Sequence, residues 1–297
     1  GFEQQLDMFP LDFEEFLWGC GVSEEVISSL RQAYETNSRV SDFLHEQMAV
    51  YLRQFLIVGG MPEAVQAFIN NHDLSTTIRI QKNIVNSYRD DIAKYAANEK
   101  HLAKKVFDAI PEQLCKKDKR FVLASLEKGA SQRKYGDATE WLVDAGIAYF
   151  SFNVSTLELP FSFLEKRNLY KLFMLDTGLL CSMSLNEMQF FVLNGDIGIN
   201  EGALTENFVA TELVKHGKKL NYYDKKSRQE LDFIFNDGGK IGIIEVKSGN
   251  DYQRHASLSA ALNEYSQRIN RAIVLSKFNI NTSDNVKYYP LYMTMFL

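Results

Sequence analysis

The sequence predicts a multidomain α/β (α+β) protein in which a helical N-terminal part precedes a mixed sheet flanked by helices. Apolar residues recur at helical spacing through much of the first half of the chain, as at Val26, Ile27 and Leu30. Short apolar runs separated by glycine follow in the last third, at residues 229–235 and 240–246. With 297 residues, the chain is long enough for two or three domains, each with its own core.

The first third is predicted to be almost entirely helical. Ser23 is the expected N-cap of a helix, Gly59 and Gly60 end another, and Pro62 suits the first turn of the next. The apolar periodicity and these boundary residues predict helices over residues 11–18, 23–36, 40–58, 62–70 and 75–97.

Three further helices and two strands are predicted next. The helices cover residues 100–110, 121–127 and 131–144, and Pro111 is expected to end the first of them. Strands follow at residues 147–153 and 170–175. Three helices followed by a hairpin are the plan of a winged helix, whose third helix contacts DNA in many proteins. Winged helices also dock proteins, so DNA and a protein partner both stay open.

A basic segment falls within this region. Residues 116–134 carry seven basic and two acidic side chains, whereas the whole chain has a net charge of −5. This net charge argues against nonspecific binding of a polyanion by the whole surface, so any nucleic-acid contact must be local. A solvated charged face is the alternative interpretation. The candidate nucleic-acid residues are Lys116, Lys117, Lys119, Arg120, Gln132, Arg133 and Lys134.

The last third is predicted to be a mixed sheet between two helices. A helix over residues 203–216 holds Glu206 on its apolar face, and a strand over residues 220–223 follows. After the two glycine-linked strands comes an amphipathic helix with apolar residues from Leu258 to Ile269, and then a strand over residues 272–275.

Four charged residues interrupt the two glycine-linked strands, at Glu230, Asp232, Glu245 and Lys247. A charge inside an apolar strand is costly unless it is paired or binds a ligand. A two-residue turn at 238–239 would set Asp232 opposite Glu245 and Glu230 opposite Lys247, with all four side chains on one face of the sheet. A turn at 237–238 shifts this register by two residues and keeps the common face.

Two facing carboxylates repel each other unless a cation lies between them, which makes Asp232 and Glu245 candidate metal ligands. The alternative is structural. Glu230 and Lys247 would then form a cross-strand ion pair, and the two carboxylates would be solvated at the end of a strand.

The order Asp, about a dozen residues, then Glu-x-Lys, within an α-β-β-β-α-β succession, resembles the PD-(D/E)xK nuclease superfamily. The resemblance implies that Asp232 and Glu245 hold Mg²⁺, with Glu206 as a further metal ligand. It also implies that Lys247 orients the attacking water or stabilises the reacting phosphate. Asp232, Glu245, Lys247 and Glu206 are thus the predicted catalytic residues.

Four further segments, together with the two segments that hold the nuclease-like motif, resemble a large group of bacterial and archaeal AAA-type ATPases whose C-terminal domain of unknown function is related to PD-(D/E)xK nucleases. These are residues 9–18 (FPLDFEEFLW), 59–65 (GGMPEAV), 141–146 (WLVDAG), 175–180 (LDTGLL), 230–233 (ELDF) and 245–249 (EVKSG). The resemblance implies an ATPase-domain remnant with its helical lid at 1–74, a helical linker and winged helix at 75–167, and a nuclease-like domain at 168–297 with its core at 200–297.

The chain contains no Gly-x-x-x-x-Gly-Lys-Ser/Thr phosphate loop. We therefore expect a truncated product, with ATP binding only in a full-length parent. Two functions stay open at this point. The first is a DNA-processing or DNA-binding part of an AAA-type ATPase, with a Mg²⁺-dependent phosphodiesterase (nuclease) site. The second is a catalytically inactive nuclease-fold module that docks DNA or a protein.

The amino-acid composition predicts the cellular compartment of the protein. The sequence has no run of eighteen apolar residues, so no membrane contact is expected. The odd number of cysteines, Cys20, Cys115 and Cys181, predicts free thiols in a reducing, cytoplasmic compartment. An oligomer is possible.

Overall fold

The computed structural model describes residues 6–71, 73–96, 100–185, 189, 201–225, 229–283 and 285–297. Helices dominate the first half, as predicted. They are α1 (Phe13–Gly19), α2 (Glu24–Thr36), α3 (Asp42–Val58), α4 (Pro62–Asn71), α5 (Leu74–Tyr95), α6 (Lys100–Cys115) and α7 (Gln132–Asp144). Ser23 occupies the N-cap position of α2, and Gly59 is the C-cap of α3, so these two boundary predictions are confirmed.

The strands and remaining helices follow in a regular order. They are β1 (Ala148–Val154), β2 (Glu165–Met174), α8 (Thr177–Leu185), α9 (Glu201–Lys215), β3 (Asn221–Asp224), β4 (Glu230–Asp237), β5 (Lys240–Lys247), α10 (Ala256–Tyr265), β6 (Ile269–Ser276), β7 (Asn281–Ser283) and β8 (Val286–Pro290). The predicted mixed α/β class is confirmed. Ile269 was expected at the end of a helix, but it begins β6, where it pairs with Ile241.

The eight strands of the described residues belong to one mixed sheet, in the order β2-β1-β3-β4-β5-β6-β8-β7. β1 and β2 form the predicted antiparallel hairpin, and β1 also pairs in parallel with β3. The hairpin expected in a winged helix therefore continues the sheet that holds β4 and β5. The predicted boundary at residue 167 lies inside β2. The domain boundaries themselves stay predictions.

Each face of the sheet is covered by a different core. The larger core joins helices α1 to α9 to one face, through side chains such as Phe208, Phe233 and Ile244. The smaller core packs α10 on the other face, through Leu258 and Ile243. Burial of both faces explains why the central strands are almost continuously apolar.

Two predictions in the basic region are wrong. Pro111 does not end α6, which continues to Cys115. Leu114 is fully buried in the larger core, and this burial outweighs the hydrogen bond that a proline removes. The helix expected over residues 121–127 is only a short 3-10 turn, Leu123–Ser125, because the Phe121 N–H donates to the Tyr170 carbonyl of β2 at 2.8 Å.

Two of the segments that carry the family resemblance, residues 59–65 and 175–180, contact each other. The buried Asp176 carboxylate accepts hydrogen bonds from the Gly60 N–H at 2.6 Å and from the Leu179 N–H at 2.8 Å, at the start of α8. A side chain on Gly178 would collide with backbone atoms of Val58 and Gly59. The end of α3 and the start of α8 are therefore in direct backbone contact, which requires glycine.

This contact yields the first prediction. Gly178→Ala should lower the free energy of unfolding by about 1–3 kcal/mol, because the added methyl group overpacks a backbone contact that cannot rotate away. Urea denaturation measures the change. Gly249→Ala is the matched control, since a side chain at Gly249 would meet nothing within 4 Å. Equal stability of the two variants would contradict the proposed close contact.

Candidate functional site

The site lies at the open end of the β4–β5 hairpin. The register runs from Asp237 opposite Lys240 to Phe233 opposite Ile244, as the turn at Gly238–Gly239 predicts. The paired ladder ends there. The next residue, Asp232, uses its Oδ2 atom to accept the Val246 N–H at 2.8 Å. A side-chain carboxylate thus accepts a hydrogen bond from a backbone N–H of β5 at the point where the hairpin opens.

β4 also carries an irregularity at this point. Ile234 pairs with Asn221 but Leu231 pairs with Tyr223, so β4 has one residue more than β3 between these pairs. Accordingly, Leu231 and Ile234 both contribute to the smaller core. This bulge interrupts the strict alternation from which a common face for all four charged residues was predicted. Bulges are frequent beside functional sites, because they redirect a side chain.

Glu245 is the most enclosed carboxylate of the hairpin, with only 5 % of its surface exposed. Its Oε1 atom lies 2.7 Å from the Lys247 Nζ atom. Its Oε2 atom is buried and has no hydrogen-bond partner in the described part of the chain. A buried carboxylate oxygen without a partner is costly, and an ion or water is the usual explanation.

Burial and mutual repulsion raise the pKa values of two acidic groups of the hairpin. Burial, followed by the charge of Asp232, raises the pKa of Glu245 to about 8. Burial, followed by the charge of Glu206, raises the pKa of Asp232. Burial alone would lower the pKa of Lys247, but Glu245 outweighs it and the pKa rises. Such shifts are common at functional sites.

Glu206 projects from α9 into the same region, and two lysines hold it. Its Oε1 atom forms an ion pair with Lys119, and its Oε2 atom lies 3.8 Å from the Lys171 Nζ atom. At that distance Oε2 is buried without a hydrogen-bond partner among the described residues, as Glu245 Oε2 is. Lys171 extends from β2, is only 1 % exposed, and lies 3.0 Å from Glu230 Oε1. Its ammonium group also stands 5.1 Å from the centre of the Tyr222 ring.

The buried lysine stays charged. Burial by itself would lower the pKa of Lys171, but the surrounding carboxylates, Glu206 first among them, raise it. Four carboxylates and three lysines therefore share the open end of the hairpin, and we call them the charged cluster. Its members are Lys119, Lys171, Glu206, Glu230, Asp232, Glu245 and Lys247.

The alternative, purely structural interpretation of the hairpin is wrong in its details. Glu230 pairs with Lys171, not with Lys247, and Lys247 pairs with Glu245. Glu245 is buried, not solvated. Lys171 was missed, although it is a charge inside the apolar second half of β2, which is the same signal that identified the hairpin residues.

The structure leaves fewer candidate metal ligands than the three that the sequence indicated. Among the described residues, no group of three or more His, Cys, Asp or Glu side chains is arranged to hold a metal ion. Glu206 forms ion pairs with two ammonium groups, at close range through Oε1 and at 3.8 Å through Oε2. The donors that still fit Mg²⁺ are Asp232, which has one oxygen outside the hydrogen bond to Val246, and Glu245 with its unpartnered Oε2 atom. Mg²⁺ is often held by one or two carboxylates and waters.

The basic segment is largely neutralised by local ion pairs. Lys116 pairs with Glu112, Arg120 with Asp118, and Lys134 with Glu127. Lys119 pairs with Glu206 in the charged cluster, so it too is engaged by a carboxylate. Gln132, Lys117 and Arg133 are exposed, and neither Lys117 nor Arg133 forms an ion pair within the described segments.

Two family models match the chain, each over less than half of its length. Residues 50–189 match a domain of unknown function (DUF8612), and residues 201–293 match another domain of unknown function (DUF4143). The second is a domain found at the C-terminus of AAA-ATPase-like proteins. No curated protein and no solved structure matches the sequence. Over the described residues, no helix is long and apolar enough to cross a membrane.

The charged cluster predicts a large cost for losing its buried cation. Lys171→Met should lower the free energy of unfolding by about 3–5 kcal/mol, because Glu206 would be left buried with one partner fewer. Chemical denaturation measures this loss, and adding Glu206→Gln should restore part of it. Lys117→Met, at an exposed lysine, should change stability by less than about 0.5 kcal/mol. A Lys171→Met protein as stable as the control would show that the cluster does not depend on this lysine.

The raised pKa of Glu245 predicts how metal-free stability depends on pH. The folded state keeps the proton up to about pH 8, whereas the unfolded chain loses it near pH 4.5. Stability contributed by the protonated carboxyl is therefore complete below pH 4.5 and falls between these values, by at most about 1.4 kcal/mol per pH unit. Denaturation across this window in the presence of EDTA should show the fall, and Glu245→Gln should flatten it. An unchanged pH profile in the variant would contradict this assignment.

Proposed function

We propose that this chain is a nucleic-acid-processing part of an AAA-type ATPase, in which Asp232 and Glu245 hold one Mg²⁺ ion at a phosphodiesterase site. The observation that carries the proposal is the buried, unpartnered Oε2 atom of Glu245 beside Asp232 at the opened hairpin. The match of residues 201–293 to a domain found at the C-terminus of AAA-ATPase-like proteins supports the connection to ATPases.

The residues of the charged cluster have separate roles in this proposal. When bound, the metal would acidify a water and neutralise charge on the reacting phosphate. Lys247 lies beside Glu245 and is the group that would orient the water or contact the phosphate oxygens. The Val246 N–H fixes the Asp232 carboxylate, which leaves its second oxygen free for a ligand.

Glu206 is assigned a different role from the one that the resemblance implied. Its two oxygens face Lys119 and Lys171, so it holds these lysines and is not a direct metal ligand. The two ammonium groups would in turn add positive charge beside the place where a phosphate must bind. Phosphates are commonly bound by lysine as a point charge.

ATP binding is assigned to other parts of a full-length parent, because the sequence contains no phosphate loop of the Walker type. DNA is the proposed substrate. The exposed Lys117, Lys128 and Arg133 are the cations of the basic segment that are still available to a DNA backbone.

One observation favours a second function. Three lysines already compensate most of the negative charge of the four carboxylates, which reduces the need for a metal ion. The alternative is therefore an inactive nuclease-fold module that docks DNA or a protein partner. It differs from the first proposal in a measurable way, because it requires no stabilisation by Mg²⁺.

The two proposals are separated by measuring melting temperature and DNA cleavage on the same proteins. In the phosphodiesterase, Mg²⁺ should raise the melting temperature, and Asp232→Asn or Glu245→Gln should abolish both this increase and the cleavage. Without metal, the same substitutions should leave stability unchanged or higher, because they remove repulsion between buried carboxylates. Loss of activity can then be distinguished from misfolding.

Lys247→Met should keep the Mg²⁺-dependent increase in melting temperature and lose cleavage. Glu264→Gln, which removes an exposed carboxylate on α10, is the matched control and should behave like the unaltered protein. A protein whose melting temperature does not change with Mg²⁺, and which cuts neither single- nor double-stranded DNA, is the inactive module.

A further inference from the structure

A pair of stacked aromatic rings lies at the same edge of the sheet as the charged cluster. β5 and β6 are parallel, and their last residues, Lys247 and Ser276, are register partners. Tyr252 follows five residues after Lys247, and Phe278 follows two residues after Ser276. Because parallel strands end at the same edge, the loops that carry both rings emerge beside Lys247.

The two rings form a platform. Their centroids are 4.4 Å apart with an angle of 25° between the planes. The Tyr288 ring meets Tyr252 edge-on at 5.5 Å and supports it from the sheet. Both Tyr252 and Phe278 are only half-buried, so part of each ring is available to a further planar group.

A cavity of about 480 Å³ adjoins this platform, and Arg39 and His45 contribute to its lining together with the two rings. Its size suits a small planar ligand. Two more cations lie on the same loops, since Arg254 and Lys277 are both exposed and the Lys277 Nζ atom stands 5.7 Å from the Phe278 ring centre. Aromatic rings interleaved with cations are the chemistry by which proteins bind single-stranded nucleic acid.

We propose that Tyr252 and Phe278 stack an unpaired nucleobase next to the charged cluster, so that the substrate is nucleic acid with a single-stranded segment. This inference rests on the proposed phosphodiesterase function for its place in the reaction, but the binding itself does not require cleavage. The cations Arg254 and Lys277 neutralise the phosphates on either side of the stacked base. A paired base cannot offer its face to the platform, so a continuous duplex binds more weakly.

The test measures binding in EDTA, where a metal-dependent site cannot cut. The probe is a short fluorescein-labelled oligothymidylate, and fluorescence anisotropy gives its Kd for the full chain. Tyr252→Ala and Phe278→Ala should each weaken binding about ten-fold, because a stacked base contributes strongly to affinity. Tyr252→Trp should retain the affinity of the unaltered protein.

Two controls isolate stacking from folding. Phe163→Ala removes another exposed ring, 86 % accessible in the turn between β1 and β2, and should leave binding unchanged. An oligomer of the same length without bases should bind the unaltered protein about ten-fold more weakly than oligothymidylate. The second control needs no substitution, so equal binding of the two oligomers overturns the inference even where an alanine variant fails to fold.

The outcomes separate this inference from the proposed catalysis. Equal affinity for the oligomers with and without bases, or unchanged binding in both alanine variants, overturns the stacking site whether or not the protein cuts DNA. Base-dependent binding that is lost with Tyr252 and Phe278 supports the site even if no cleavage occurs, in which case only the phosphodiesterase proposal fails. Tighter binding of a blunt duplex than of oligothymidylate also overturns the inference.

Discussion

The arrangement of this protein depends most on the ion pairs that the buried ammonium group of Lys171 forms. It joins three elements that are distant in sequence, because Lys171 extends from β2, Glu206 from α9 and Glu230 from β4. Removing a charge from water is costly, so this contact is stable only while its carboxylate partners are in place. The edge hairpin, the covering helix and the central strands are thereby fixed relative to one another.

The same interaction explains why the charged cluster supports two functional proposals. Carboxylates that lie so near one another require positive charge beside them, and a metal ion or lysines can supply it. Glu206 and Glu230 have lysine partners. Glu206 and Glu245 each keep one buried oxygen without a hydrogen-bond partner. The Glu206 oxygen lies 3.8 Å from the Lys171 ammonium group, whereas no ion pair reaches the Glu245 Oε2 atom among the described residues. Positive charge is therefore scarcest at Glu245 Oε2, and this favours a single cation site over a two-metal site.

Much of the fold follows from local signals. The register of β4 and β5 could be predicted because two glycines with positive φ, Gly238 and Gly239, form a short turn that fixes the pairing of every following residue. Most helices also agree with their apolar periodicity to within a few residues. These features depend on neighbours in sequence, so the sequence alone specifies them.

The features that could not be predicted depend on contacts between distant segments. The bulge at Asp232 arises from the pairing of β4 with β3 and has no signature of its own in β4. Pro111 is an ordinary helix-ending signal that tertiary burial overrides. The role of Lys119 could not be predicted either. A lysine in a basic run looks like a surface cation, and only its approach to Glu206 from α9 gives it a structural role.

The contact between the glycines after α3 and the Asp176 carboxylate has a mechanical consequence. α8 begins three residues after β2 ends, so Asp176 lies on the short connection that leads directly from the strand of Lys171. Because Gly59 and Gly178 leave no gap between their backbones, the end of α3 cannot shift without displacing that connection. A force applied to the N-terminal helices would thus be transmitted as a rigid displacement to the strand that carries the buried ammonium group.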